Sequence, residues 1–206
     1  MSKHRNINKL SKLLQEVLIE LGEDTNREGL LETPSRWAKS LLTQTEGTKE
    51  DPAKHLKTIF ELPEDIYPEY SKDMIIVDNI EFSSLCEHHI APFKGLTHIG
   101  YIPNPKTRKI VGLSKLSRIV DLFSQKLQIQ ERLTNQITQS IYEYLEPLGV
   151  ITVIQARHYC MIQRGVKQRN SITTTIAKRG IYTEENNLEN KFQNYISMKL
   201  QKKWGE

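Results

Sequence analysis

The segments Cys86-Glu87-His88-His89 and His158-Tyr159-Cys160 together hold both cysteines of the chain and three of its six histidines. If the two act together, the fold must carry the ends of two distant segments to one place, a requirement that limits the chain more than any other feature of it. A thiolate and an imidazole three residues apart on a turn, joined by a distant thiolate, supply three soft or borderline donors. Such a set suits Zn²⁺ and leaves a fourth tetrahedral position for water, which separates a catalytic zinc from a closed structural one. The other readings are a Cys86–Cys160 disulfide, two inert buried thiols, or a structural zinc that recruits His88, His98 or His158 as well. Two cysteines in 206 residues, and an opening Met1-Ser2-Lys3-His4-Arg5 from which no signal peptide is expected, argue against the disulfide.

At 206 residues the chain fits one domain, or one domain with an appendage, on a prior of about 150 residues per domain. Hydrophobic residues make up 37% and charged residues 26%, ordinary for a globular protein. No apolar run approaches the ~20 residues of a membrane span, so neither membrane insertion nor export is expected and the expected location is the cytoplasm. A net charge of +4, from 29 Lys and Arg against 25 Asp and Glu, is too balanced to argue for nucleic acid as a partner.

From Ile7 to Leu21 apolar residues recur at threes and fours, with Gly22 placed to end a helix. Thr33-Pro34 reads as an N-cap followed by proline at the first helical position, opening a helix through Trp37, Ala38, Leu41 and Leu42. A short third helical stretch is expected near Ala53 to Phe60. Beyond Pro68 the pattern turns to strand: Met74 to Val77 and Ile80 to Phe82 end at the Cys86 turn, Leu96 to Ile102 returns, and Ile110 to Leu113 is short. Ser114 reads as the N-cap of a helix with Leu116, Ile119, Val120, Phe123 and Leu127 on one face, and a second helix runs from about Glu131 to Leu145. Alternation from Val150 to Tyr159 places His158 and Cys160 on one strand face, and Ser171 to Ile181 is the last strand. This order predicts an α+β fold with an antiparallel sheet.

His88 and His158, left over once Cys86, His89 and Cys160 are taken as ligands, are acid/base candidates or else orienters of those ligands. Ser114, Lys115 and Arg118 fall at a helix start where backbone N–H groups favour an anion, and Arg164, Lys167 and Arg169 follow the second metal segment. These cations would serve a polyphosphate, or form a solvated basic face. Glu131, preceded by Gln130, either offsets the dipole of its helix or accepts two hydrogen bonds from an amidine-like edge such as N1–H and the 2-amino group of guanine.

Ser84-Leu-Cys-Glu-His-His, Pro92-Phe-Lys-Gly, His98-Ile-Gly-Tyr-Ile-Pro, Gly112-Leu-Ser-Lys-Leu-Ser-Arg-Ile-Val, Leu127-Gln-Ile-Gln-Glu-Arg-Leu-Thr, Ala156-Arg-His-Tyr-Cys-Met and Arg164-Gly-Val stand in one order along the chain. Together with Arg27-Glu-Gly-Leu and Thr33-Pro-Ser-Arg, they resemble the GTP cyclohydrolase I family over about residues 10 to 183. The resemblance implies a tunnelling fold, an antiparallel sheet backed by two helices, in a toroidal homodecamer with active sites at subunit interfaces. It implies a helical extension over 1–70 for oligomer contacts, a catalytic domain over 71–183, and leaves 184–206 as a polar tail. It implies Zn²⁺ on Cys86, His89 and Cys160, catalytic roles for His88 and His158, and guanine held at Glu131 beside Gln130. Ser114, Lys115, Arg118 and Arg164 would surround the triphosphate. The implied reaction takes GTP as substrate: hydrolysis at C8 with His158 protonating N7, release of formate, ribose opening assisted by His88, and closure to 7,8-dihydroneopterin triphosphate. Thr25, the long Pro103 to Lys109 loop and the tail depart from the family pattern. The rivals are another tunnelling-fold purine or pterin enzyme, such as a queuosine-pathway reductase, and a non-catalytic zinc module that binds nucleic acid.

Overall fold

The computed structural model describes residues 6–48, 50–57, 59–68, 72–184 and 187–200. The chain divides into two units, Met1–Glu46 and Gly47–Glu206.

In the first unit, α1 (Ile7–Glu20) opens where the Asn6 side chain accepts from Lys9 N–H at 3.0 Å, and it buries Leu14 and Leu18. Gly22, at φ +83°, ends it: its N–H donates to Ile19 O and the Glu23 N–H to Leu18 O, a pair of bonds that satisfies the last carbonyls. α2 (Thr33–Thr43) begins one residue earlier than the N-cap reading of Thr33 allows. The Thr33 hydroxyl donates back to Gly29 O at 3.3 Å instead of capping the helix.

The second unit is α+β. α3 (Ala53–Leu56) is a single turn, and β1 (Ile59–Glu61), expected to be helical, pairs instead with β4 (Lys109–Val111). The main sheet holds β2 (Ile75–Cys86), β3 (Pro92–Ile102), β5 (Leu127–Gln128), β6 (Gly149–His158) and β7 (Thr173–Gly180), in the order β5-β2-β3-β6-β7. The four long strands are antiparallel as expected, but β5 is parallel to β2, pairing Leu85 with Leu127 and Cys86 with Gln128, so the sheet is mixed. A two-residue strand gives no periodicity to detect. The register of β2 shifts between Val77 and Ile80, with Asn79 at φ +56°. That bulge absorbs the odd residue, so Ile75 and Val77 before it and Ile80 and Phe82 after it all meet one core.

Helices α4 (Leu113–Ser124) and α5 (Gln130–Leu145) cover that face. Leu116, Ile119, Leu133, Ile137 and Ile141 are fully buried against Phe93, Ile99, Val150 and Ile154. Each such side chain contributes about 1.5–3 kcal/mol of hydrophobic stabilisation. The opposite face carries a second core of Ile102, Ile151, Val153, Tyr182, Phe192 and Ile196. Phe192 and Ile196 come from α7 (Leu188–Leu200), which forms within the segment read as a polar tail; residues 201–206 of that segment lie outside the described residues. Among the described residues no helix is long and apolar enough to cross a membrane.

Candidate active site

β2, the start of α5 and the end of β6 meet at one end of the sheet, and their meeting point is the cavity that contains the sequence-predicted donors. Cys86 is the last residue of β2 and is buried. Its N–H donates to Ala91 O at 2.8 Å, and its carbonyl accepts from His89 N–H at 3.3 Å and Ile90 N–H at 2.8 Å. The chain thus turns sharply over Glu87 to Ile90, with Ile90 held at φ +52°, a conformation costly for a β-branched residue. This turn projects both histidines from one short loop.

The turn is clamped from beneath. Glu87 N–H donates to Gln128 O at 3.0 Å, so the two-residue β5 holds its backbone. The Glu87 carboxylate pairs with the Arg132 guanidinium of α5, whose Nε donates to Gln128 Oε1 at 2.9 Å. Gln128 is itself buried and donates to Phe123 O at 3.0 Å. Sequence reasoning missed Gln128 and Arg132; their only signal is their place in the Leu127 to Thr134 motif.

Cys160 does not continue the β6 face. The strand ends at His158, and Tyr159–Ile162 forms a short helical turn, α6, which still delivers Cys160 to the same cavity. One donor atom each from Cys86, His89 and Cys160 lies within 4.8 Å of the others. In a tetrahedral zinc centre, bond lengths of about 2.0–2.3 Å put such atoms roughly 3.3–3.8 Å apart, so side-chain adjustment of up to about 1–1.5 Å in a donor–donor separation closes the site. Both cysteines are free thiols. Burial, then the neighbouring Cys86 thiol, pushes the Cys160 thiol up. Its proton therefore has to leave when a cation binds. The S₂N donor set fits Zn²⁺.

The cavity, about 270 Å³, is also lined by His88, Gln130, Glu131 and His158. His88 Nδ1 is 3.9 Å from Cys86 Sγ. The His158 ring stacks on the buried Phe93 ring at 4.7 Å and 4°, and its Nε2 faces Gln130 Oε1 at 2.8 Å. Burial lowers the His158 pKa, and the Glu131 carboxylate opposes that shift. A neutral imidazole beside a carboxylate is suited to exchanging a proton with a bound base.

Not every predicted residue gathers here. Ser114 and Arg118 are exposed and Lys115 half-buried on the first turns of α4, and Arg164 is exposed beyond α6; none of the four lines the cavity. Ser114 is not the N-cap either: Gly112 holds that position, and Ser114 is the second helical residue.

The GTP cyclohydrolase I family model matches residues 10–197. A GTP cyclohydrolase 1 of Porphyromonas gingivalis is 46% identical over 196 residues, covering 95% of this chain and 96% of that protein. One of Clostridium kluyveri is 43% identical over 192 residues, covering 93% and 98%. The solved apo archaeosine synthase QueF-Like aligns with a TM-score of 0.44 at 13% identity, over 53% of this chain and 96% of that one. With the family model spanning most of its length and relatives matched nearly end to end, the chain belongs to the GTP cyclohydrolase I family.

Proposed function

We propose that the cavity between β2, α5 and β6 is where GTP is hydrolysed and rearranged to 7,8-dihydroneopterin triphosphate and formate, with a zinc ion on Cys86, His89 and Cys160. Family membership carries the reaction. The metal rests on one observation: three soft donors from two distant segments converge within 4.8 Å, beside two further histidines and a carboxylate. When bound, zinc supplies Lewis acidity that brings a water within reach of deprotonation near neutral pH.

The protein's own groups do the rest. His158 gives a proton to purine N7 as C8 is attacked, and His88 assists opening of the ribose. Glu131 accepts from N1–H and the 2-amino group, fixing guanine by a two-point contact that adenine does not offer. Ser114, Lys115, Arg118 and Arg164 hold the triphosphate. These four lie outside a cavity of about 270 Å³, which supports a site completed by a neighbouring copy, with phosphate-binding and base-binding groups meeting across a subunit interface. Cavities for drug-sized ligands usually span about 300–1,000 Å³, so one chain alone is small for a nucleoside triphosphate. The sheet edges support the same reading: among the described residues β7 has a partner on one side only, and β2 meets β5 only at Leu85 and Cys86. Such edges invite strand pairing between copies, as a tunnelling fold in a homodecamer requires. The proposed location is the cytoplasm.

The test is to incubate zinc-loaded protein with GTP and measure formate and dihydroneopterin triphosphate by mass spectrometry, with a chelated sample in parallel. Equimolar formation of both products, lost on chelation, is expected. Intact GTP at verified zinc occupancy contradicts the reading.

A further inference from the structure

Gln130 is grouped by its sequence position with the residues that hold guanine, and it lines the cavity, but its side-chain amide is engaged by protein partners. The residue is 1% exposed. Its Nε2 lies 3.0 Å from Ile154 O, 2.9 Å from Thr173 O and 3.1 Å from Thr175 Oγ1, which ties the start of α5 to both β6 and β7. Thr175 Oγ1 is in turn 2.6 Å from Thr134 Oγ1, and the Thr134 hydroxyl donates to Gln130 O at 2.8 Å. Two of the three partners of Nε2 are backbone carbonyls, which only accept. The amide therefore has one orientation, its NH₂ toward the strands and its oxygen toward His158.

An amide oxygen also only accepts, so His158 Nε2, 2.8 Å away, must carry the hydrogen. In the neutral ring the lone pair is then on Nδ1, which must take up a proton before it can pass one to the substrate. Phe93, fully buried and parallel to the imidazole at 4.7 Å, sets the plane in which the ring lies. Both hydrogens and the oxygen of the Gln130 amide are engaged inside the protein, which leaves no N–H for a base. We propose that Gln130 is a positioning residue: it fixes the plane of the His158 ring and places the hydrogen on Nε2, leaving Nδ1 as the ring nitrogen open to a bound substrate, and it makes no contact with guanine. This rests on the assignment of His158 as the proton donor.

The test compares Gln130→Met, which keeps the side-chain volume and removes its polar atoms, with wild type and with the same change in a His158→Ala background. Melting temperature verifies folding. If Gln130 acts through His158, kcat of Gln130→Met falls roughly 10–100-fold while the KM for GTP stays within about twofold. In the His158→Ala background, the Kd for GTP is the same within about twofold with or without Gln130→Met. An unchanged kcat, or a Kd weakened about tenfold by Gln130→Met in the His158→Ala background, overturns the inference, since the latter marks a direct substrate contact. A His158→Ala enzyme that turns over at the wild-type rate removes the premise itself and is recognisable as that separate failure. Should Gln130→Met not fold, Thr175→Val removes one of the three anchors and leaves Gln130 in place. Its kcat is then expected to fall severalfold at constant KM, and an unchanged kcat overturns the proposal.

Discussion

Gly95 and Gly100 show how little room β3 leaves. A Cβ on Gly95 would lie 1.8 Å from the backbone oxygen of Gln155, whereas one on Gly100 would lie 2.7 Å from the Phe192 ring. A carbonyl in a sheet ladder cannot move without breaking register, but a ring can tilt. Gly100→Ala is therefore expected to cost about 1–3 kcal/mol by overpacking. Gly95→Ala should cost more, because it forces β3 away from β6 two residues short of His158. Urea unfolding of both variants measures the difference, and equal costs would show that the β3–β6 backbone is more compliant than its close approach implies. The proposed ligand residues and both catalytic candidates could be picked out from sequence because cysteine and histidine are rare and chemically specific. Phe93 and Gln128 could not, since a buried aromatic and a buried amide take their roles only from what the fold sets beside them.

Among the elements, β5 does the most with the fewest residues. It joins the Cys86 to His89 turn to α5, and the Glu87–Arg132 pair completes the clamp. Both partners are partly exposed, so the pair adds only about 0–1 kcal/mol to stability. Its larger effect is on the turn that presents the ligands. Arg132→Ala is expected to leave the melting temperature nearly unchanged while zinc passes to a competing chelator roughly tenfold faster. Release at the wild-type rate would show that the turn holds its shape unaided. The long helices and strands were legible because their apolar residues repeat at 3.6 or 2 over many positions. β5 has two residues, α6 four, and neither length carries a period. The α7 residues Leu188, Phe192 and Ile196 do recur at fours, but polar residues crowd around them, and the face they cover is visible only once Ile151 and Val153 are seen to point away from α4 and α5.

For the molecule taken whole, the sheet separates two cores, and each contains one buried tyrosine. Burial pushes Tyr101 up to about 12, and Tyr182 on the other face is raised by burial as well. Above pH 10 the unfolded chain loses these protons before the folded one does, so the stabilisation is complete below about pH 10 and is lost as pH rises through the folded values. Denaturant titrations should show stability falling between about pH 10 and 12, with a shallower fall in Tyr101→Phe; identical slopes would mean that Tyr101 ionises as freely folded as unfolded. The proposed assembly makes a separate demand. Leu13, Val17, Ile19, Leu21 and Leu31 of the first unit are all more than 40% exposed, an apolar surface suited to contacts between copies. Sedimentation should then give a mass that is a high multiple of 23.9 kDa, and a catalytically active monomer would refute an interfacial site.

Zinc content per chain, measured by inductively coupled plasma mass spectrometry on wild type, His88→Ala, His89→Ala and Cys160→Ser, tests the Cys86, His89 and Cys160 centre most directly. About one zinc is predicted in wild type and in His88→Ala, with less than about a tenth in Cys160→Ser and a marked loss in His89→Ala. Full occupancy in Cys160→Ser, or loss from His88→Ala with retention in His89→Ala, would contradict it.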